Sequence, residues 1–513
     1  MSFVQNVPCF SILMTMFAAI LTSAVSGKTA RKISIGISAV VGVMSVCLLI
    51  FLTGTGDSYV YIMGHFPAPW GNELRAGMLE AAVALLFCII MLLALLGGGE
   101  EAAEDVREEK ANYYYIMADL LLAANLALVY TNDLFTAYVF VEINTIASCG
   151  MILGKFNRLT IASAVRYMIM SLMGSGLLLL GICFFYDMTG HLLMSNMKEA
   201  IGIMTENGAY QVPFLLTVGL VSVGLAIKSA LWPFHTWLPN AYGYSTVTSS
   251  AMLSSIVSKG YIFLLLKLIF RVIGPEAFVR SRVTEVLFVF GMIGMILGSV
   301  DAIRQNNIRR MVAYSSIAQI GYIFMGIGMG TIEGMEASVY HIFAHASAKA
   351  LVFVAVSGLI RSSGGRMGLK ELSGAGFRNK AAGVGFVIGS LSMIGIPGCA
   401  GFVSKLMFAK ASLNDAAYAV PVLACLALST LLNAVYFMRV VLFLYTPDEV
   451  SVSGIYGTNV APEAKSDKTV RTAEDGDFSF KAAIVGFICL NLFLGICTGP
   501  VTEVVKTGLS IFG

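Results

Sequence analysis

About fourteen stretches of this chain stay apolar for roughly 20 residues each, the length an α-helix needs to cross the hydrocarbon core of a bilayer. They lie near 8–26, 34–53, 78–98, 113–131, 133–153, 160–186, 212–233, 246–270, 284–302, 309–330, 335–360, 381–410, 418–445 and 481–500. No single aqueous core can absorb them. With 57% apolar and only 12% charged residues and a mean hydropathy of +0.82, against about 25% charged in soluble domains, the chain needs lipid as its solvent. The expected fold class is an all-α polytopic membrane protein. The first stretch lacks a basic leading region and runs on into further spans, so it reads as a helix and not a signal peptide.

Orientation follows from the basic residues of the loops. With the N-terminus outside, inner loops hold nineteen of the 33 lysines and arginines and outer loops seven. This bias predicts a multi-pass protein of a bacterial-type cell membrane with both termini outside. The remaining seven lie inside spans: Arg166, Lys228, Lys259, Lys267, Lys349, Lys405 and Arg439.

Two polar segments interrupt the hydrophobic pattern. EEAAEDVREEK, residues 100–110, is expected to be a charged inner loop, and the segment from Pro447 to about Phe480 a long solvated connector. Between them, two spans combine a lysine with a proline: AIKSALWPFHTWLP has Lys228 and Pro233, and IGIPGCAGFVSKLMF has Pro397 and Lys405. Proline removes a backbone hydrogen bond and breaks the helix, and interrupted spans in two halves point to a transport site near the midplane. The division is then 1–112, an N-terminal three-helix segment; 113–270 and 284–445, the two halves; and 446–513, polar loop and last span. The net charge of +3 carries no sign of nucleic-acid binding. The nine scattered cysteines lack any C-x-x-C pair, so no cofactor or iron–sulfur site is expected. The GVGFVIG run at 383–389 follows no strand and reads as helix packing.

An ionisable side chain in mid-bilayer costs at least about 2.5–3.5 kcal/mol on insertion scales and usually faces the bundle interior. Glu142 sits about nine residues into its span, and is expected to pair with Lys228. Such a pair gates protons, because separation lowers the lysine's proton affinity, and lysine can release a proton where arginine cannot. His341, His345 and Lys349 recur at i, i+4 and i+8, which sets them on one helix face over about 12 Å. No HExxH glutamate, cysteine or carboxylate accompanies them, so a proton relay is expected and no metal. Lys259, flanked by Ser254, Ser255 and Ser258, continues the row towards Lys405. Asp119 is a second buried acid close to the inner end of its span, and His235 a lesser relay candidate. Lys267 and Arg439 are near span ends and are expected to snorkel.

The segments LFTAYVFVEINTIAS, LAIKSALWPFHTWLPNAY, NNIRRMVAYSSIAQIGYIFMG, HIFAHASAKALVF, SMIGIPGCAGFVSKLMFAKA and LLNAVYFMRVV together resemble the antiporter-like subunits of respiratory complex I, membrane-bound hydrogenases and multisubunit Mrp cation/proton antiporters. The resemblance runs from about 113 to 445. It implies fourteen helices with two inverted five-helix repeats, each containing a broken helix. It also implies roles: Glu142 as the fifth-helix glutamate, Lys228 as its partner on the seventh, and Lys259 as the eighth-helix lysine. His345 and Lys349 match the eleventh-helix relay and Lys405 the terminal ion of the twelfth. The chain departs from the family at WLPNAYGYSTVTSS, with Tyr242 at a histidine position and Thr246 and Thr248 at prolines. That tyrosine looks more like the Mrp D-type branch. A single last span, with no amphipathic lateral helix expected after it, speaks against the longest complex I subunit.

The function expected is therefore a proton-translocating subunit of an Mrp-type Na+/H+ antiporter, D-like, working with other membrane subunits. Protons would pass from Glu142 and Lys228 through Lys259 and the histidine stripe to Lys405. The alternative is a membrane-arm subunit of a complex I-like oxidoreductase or energy-converting hydrogenase, with the redox centres in other subunits. A lone solute transporter is disfavoured, since no second constellation resembles a substrate pocket.

Overall fold

The computed structural model describes residues 3–66, 71–207, 210–447 and 478–513. Among these, twelve helices are long and apolar enough to cross a membrane. Two more spans complete the expected fourteen. Val247–Met252, Leu253–Val257, Ser258–Leu268 and Ile269–Ile273 form one continuous rod whose second and fourth pieces are wide π turns, and Lys380–Ile394 with Ala400–Ser412 form a broken span. In chain order the spans are α1 (Phe3–Ser23), α2 (Gly27–Thr55), α3 (Met78–Gly97), α4 (Glu108–Tyr130), α5 (Leu134–Lys155), α6 (Arg158–Thr189) and α7 (Gln211–Tyr244). Then come α8 (the rod from Val247), α9 (Val283–Ile303), α10 (Ile308–Gly328), α11 (Ile332–Ser362), α12 (the broken span), α13 (Ala416–Leu444) and α14 (Phe478–Ile496).

Spans α4–α8 and α9–α13 make two five-helix repeats, and the fourth helix of each is the broken one. Five is odd, so the second repeat enters the membrane from the opposite side and is inverted relative to the first. In α7 the helix stops at Ser229, Ala230 takes a left-handed turn (φ 61°), and a 3-10 turn, Phe234–Trp237, leads into Leu238–Tyr244. The indole of Trp237 donates to the carbonyl of Ile227 at 3.3 Å, bridging the gap. In α12 the break is Gly395, whose φ of 92° is open to glycine and costly for other residues. Helices pack closely through small residues: a Cβ at Gly174 of α6 would lie 2.9 Å from the Gly224 carbonyl of α7. α8, α10 and α11 are almost wholly buried and form the axis of the protein.

Several expectations need correction. Residues 100–110 are no open loop: Gly99–Asp105 is helical and packs back onto the bundle. An amphipathic helix, Thr498–Ser510, does follow α14, with Val505 and Leu509 buried against the bundle. A two-stranded antiparallel ribbon, Tyr59–Ile62 with Glu73–Ala76, joins α2 to α3. Lys267 does not snorkel; it is buried and donates to the carbonyls of Leu128 (3.0 Å), Val129 (3.1 Å) and Thr131, closing the end of α4. Arg271 and Arg309, read above as loop cations, are buried as well. The 448–477 connector lies outside the described residues.

Candidate functional site

The candidate relay residues occupy α5, α7, α8, α11 and α12; Lys228, Lys259, His341, His345 and Lys349 are buried, and Glu142 and Lys405 partly so. Lys228, in the last turn before the α7 break, is buried and donates to Thr145 Oγ1 of α5 (2.8 Å) and Ser171 Oγ of α6 (3.0 Å). Its ammonium also faces the Tyr261 ring of α8, 5.2 Å from the centroid. Glu142, one turn before Thr145, is within electrostatic reach of Lys228. The expected ion pair is nevertheless not formed: hydroxyls stand where the carboxylate was expected, and Glu142 Oε1 is buried with no hydrogen-bond partner. The two groups are neighbours held apart, with Thr145 between.

Lys259 follows the first wide turn of α8. That turn interrupts the regular i→i−4 ladder, and the Lys259 ammonium donates to the Ser254 carbonyl and to Ser258 Oγ (3.2 Å). His345, one helix away on α11, lies within electrostatic reach of Lys259, Lys349 and His341. Both of its ring nitrogens are buried and free of hydrogen bonds. Lys349 turns from the histidines towards α10, donating to the Val312 carbonyl (2.8 Å) and Ser315 Oγ (2.6 Å). The one-face stripe predicted from spacing is therefore real in its histidines, whose rings stack at 6.0 Å and 19°, while Lys349 is anchored sideways.

His341 completes the junction to α12. Its Nδ1 and Ser404 Oγ lie 2.8 Å apart, its ring stacks on Tyr322 of α10 (5.3 Å), and its Nε2 has no partner. Lys405, half-buried, sits over the other part of the same arrangement, 5.2 Å from the Tyr322 centroid. It donates to Ile394 O (2.6 Å) and Thr430 Oγ1 (3.1 Å). Buried amines held by neutral hydroxyls and carbonyls, beside histidines with open nitrogens, can exchange protons through small side-chain movements.

The other candidates fall outside this row. Asp119 is buried on α4 and accepts from Ser34 of α2 at 2.9 Å. His235, on the 3-10 turn of α7, has an unpartnered Nδ1. Arg439 caps α9 through Ile303 O (2.9 Å) and Asn306 (3.0 Å). Arg166 projects from the exposed face of α6. Among the described residues no group of three or more His, Cys, Asp or Glu could hold a metal ion. Sequence reasoning missed Thr145, Ser171, Ser315, Tyr322, Ser404 and Thr430. A hydroxyl inside a span was the only signal, and such residues abound here.

Comparison with known proteins adds the family. The family described as NADH:quinone oxidoreductase/Mrp antiporter, transmembrane, matches residues 131–432, which contain every candidate relay residue. NADH-quinone oxidoreductase subunit N of Desulforudis audaxviator is 30% identical over 386 residues, 75% of each chain. The subunit N of Mycobacterium tuberculosis is 27% identical over 381 residues, covering 73% of this chain and 66% of that one. Among solved structures, a chain of an archaeal membrane-bound sulfane sulfur reductase overlays with a TM-score of 0.83 at 21% identity, covering 99% of this chain and 97% of the other. A chain of the Mrp complex from Dietzia gives 0.83 at 20% identity with the same coverages, and one of Thermus thermophilus complex I gives 0.71 at 21%, covering 97% and 98%. At these identities the structures speak to the fold.

Proposed function

This chain belongs to the NADH:quinone oxidoreductase/Mrp antiporter transmembrane family, and on that premise we propose that it is the proton-pumping membrane-arm subunit, of the subunit N kind, of a complex I-like oxidoreductase. That it is a proton-translocating, antiporter-like membrane subunit follows from the membership itself. The relatives at 27–30% identity are subunits N, which favours the redox-driven host over the Mrp antiporter anticipated from Tyr242. The Mrp host stays as the second reading because the family that matches residues 131–432 is described by both hosts, NADH:quinone oxidoreductase and Mrp antiporter. Sodium transport and a hydrogenase host have no comparable support.

The row of buried ionisable groups from Glu142 to Lys405 carries the mechanism. Protons enter through a half-channel near Glu142 and Lys228, pass Lys259, His345, Lys349 and His341, and leave beside Lys405. Displacement of Lys228 from Thr145 towards Glu142 changes the charge felt along the row, so each step alters the proton affinity of the next. The units that carry it are the halves 113–270 and 284–445, flanked by 1–112 and 446–513. An even number of spans, with the basic loops inside, sets both ends of the chain on the outer face. The partners are other membrane subunits of the host complex.

Mass identification of the subunits that purify with this chain in mild detergent tests the host. Iron–sulfur subunits are expected; small Mrp-type subunits alone overturn the redox-driven reading. For the relay, Glu142→Gln is expected to abolish proton-coupled transport in the assembled complex, and full transport by that variant overturns the assignment.

A further inference from the structure

The polar segment after α3 is built into the bundle in a way that the relay above does not use. The turn Gly97–Gly98–Gly99 is clasped between two side chains. A Cβ on Gly98 would sit 1.7 Å from Thr248 Oγ1, and one on Gly99 1.8 Å from the Arg31 guanidinium carbon. Thr248 Oγ1 donates to the Gly98 carbonyl at 3.0 Å, and Arg31 Nη2 to the Leu96 carbonyl at 3.2 Å. The clasp delivers Glu101 to the start of α8, where its Oε1 accepts from the Val247 backbone N–H at 3.1 Å. Its other oxygen, Oε2, is buried with no hydrogen-bond partner, and so is Nε of the buried Arg309. The two residues lie within electrostatic reach of each other, and orphaned polar atoms of opposite charge so disposed mark a site for a proton or water.

From that point buried hydroxyls follow one another inward. Thr246 and Ser249 are 2.7 Å apart, and Tyr114 Oη lies 3.0 Å from each. Ser245 and Ser250 are 3.0 Å apart, and Arg309 Nη2 donates to Ser250 Oγ at 3.2 Å. Ser250, Ser254 and Ser258 follow at four-residue intervals, on one face of α8 over about 12 Å. The last two are the partners of the Lys259 ammonium. At the α7–α8 corner, Thr248 holds the clasp and Thr246 begins the run.

We propose that Glu101 is the proton-uptake group of this subunit, a carboxyl between the charged-loop side and the hydroxyl run of α8 that feeds Lys259. The proposal rests on the relay reading. In each cycle the protonated Oε2 releases its proton to water held along the Ser250–Ser254–Ser258 face. The neutral Lys259 amine takes up one proton, and the carboxylate is reprotonated from bulk water. The charged groups that face Glu101 are Arg309 of α10, Lys155 at the end of α5 and Asp105 on its own helix, with the Tyr114 phenol of α4 also near. Burial, opposed by Arg309 and Lys155, pushes the Glu101 carboxyl up to about 7. Near neutral pH about half of such carboxyls carry a proton, against well under a hundredth for an ordinary glutamate.

The test is Glu101→Gln in the whole reconstituted complex, because glutamine keeps an oxygen for the Val247 N–H and so keeps the clasp. Proton translocation is expected to fall about a hundredfold, and the decline of the wild-type rate above about pH 7 is expected to vanish. Glu101→Asp should retain part of the rate, and formate or azide should restore part of it in Glu101→Gln. A wild-type rate in Glu101→Gln overturns the proposal. So does a lost rate with an unchanged pH profile and no rescue, which makes Glu101 a structural clasp alone. Lys259→Ala run in parallel separates the two readings: full transport there overturns the relay itself, whereas its loss beside an unaffected Glu101→Gln overturns the uptake group only.

Discussion

The ammonium of Lys405 reaches back across the break in α12 and donates to the carbonyl of Ile394 at 2.6 Å, so the charge that follows the break also closes the half-helix that precedes it. The last carbonyls of a helix have no partner within it, and a cation there is favoured by the helix dipole. Gly395 makes this reach possible, since a Cβ there would lie 2.8 Å from Lys405 Cδ. The break and the lysine are one device, in which moving the side chain exposes polar backbone and holding it covers the same backbone.

This predicts a split between two substitutions. Lys405→Arg keeps a cation near Ile394 but cannot release a proton near neutral pH. It is expected to assemble normally and to lose proton transport. Lys405→Ala is expected to lose transport too and, by leaving the Ile394 carbonyl unmet, to destabilise the assembled complex by about 1–3 kcal/mol. Transport in proteoliposomes and thermal unfolding of the purified complex measure the two effects separately.

Lys228 is held in its present position by Thr145 and Ser171. Replacing either hydroxyl, as Thr145→Val or Ser171→Ala, is expected to release the ammonium towards Glu142. A hydrogen bond to a charged group contributes about 1.5–3 kcal/mol, so the ion-paired state should gain by that order. Transport should slow at least tenfold, because the pair no longer opens readily. An unchanged rate in both variants would mean that the hydroxyl-bound position is not a working state.

Tyr322 stacks on His341 and faces Lys405, while its phenol oxygen is buried and unpartnered. The ring is the part that matters in this arrangement. Tyr322→Phe is expected to transport within about twofold of wild type, whereas Tyr322→Leu, losing the stacked face and its cation–π contact of about 2 kcal/mol, should fall about tenfold or more. A dead Tyr322→Phe would instead assign the proton path to the hydroxyl.

Glu80 and Arg271 form a buried ion pair far from the relay, with the Arg271 Nε donating to Phe512 O at 2.7 Å and its guanidinium over the Phe512 ring. Removing one partner leaves an uncompensated buried charge. Glu80→Gln or Arg271→Met alone should destabilise by about 3–5 kcal/mol, and the double variant by clearly less than the two combined. Differential scanning of the purified complex reads this, and additive losses would show that the pair is not coupled.

The fourteen spans were legible because a stretch of 20 apolar residues has few alternatives in any solvent. Glu142, Lys228, Lys259, His341, His345, Lys349 and Lys405 were legible for the complementary reason: an ionisable group is too expensive in lipid to lie there without a partner or a path. Both breaks could be located from Pro233 and Pro397. Arg271 and Arg309 could not be read correctly, since both lie close to span ends in sequence, where a loop and a buried site look alike. Glu101 was hidden differently. EEAAEDVREEK has the composition of a solvated loop, and only the close approach of Gly98 to Thr248 folds it inward.

Composition and spacing were therefore enough for the architecture and for the buried candidate residues, because the penalty for placing charge in hydrocarbon is local and can be read one helix at a time. Who meets whom was decided by packing. That Lys228 rests on Thr145 and Ser171 and not on Glu142, that Lys349 turns to α10, and that Lys405 caps Ile394 depend on how separate helices are rotated against one another. Those rotations come from side-chain fit across the whole bundle, and no stretch of the chain carries them alone.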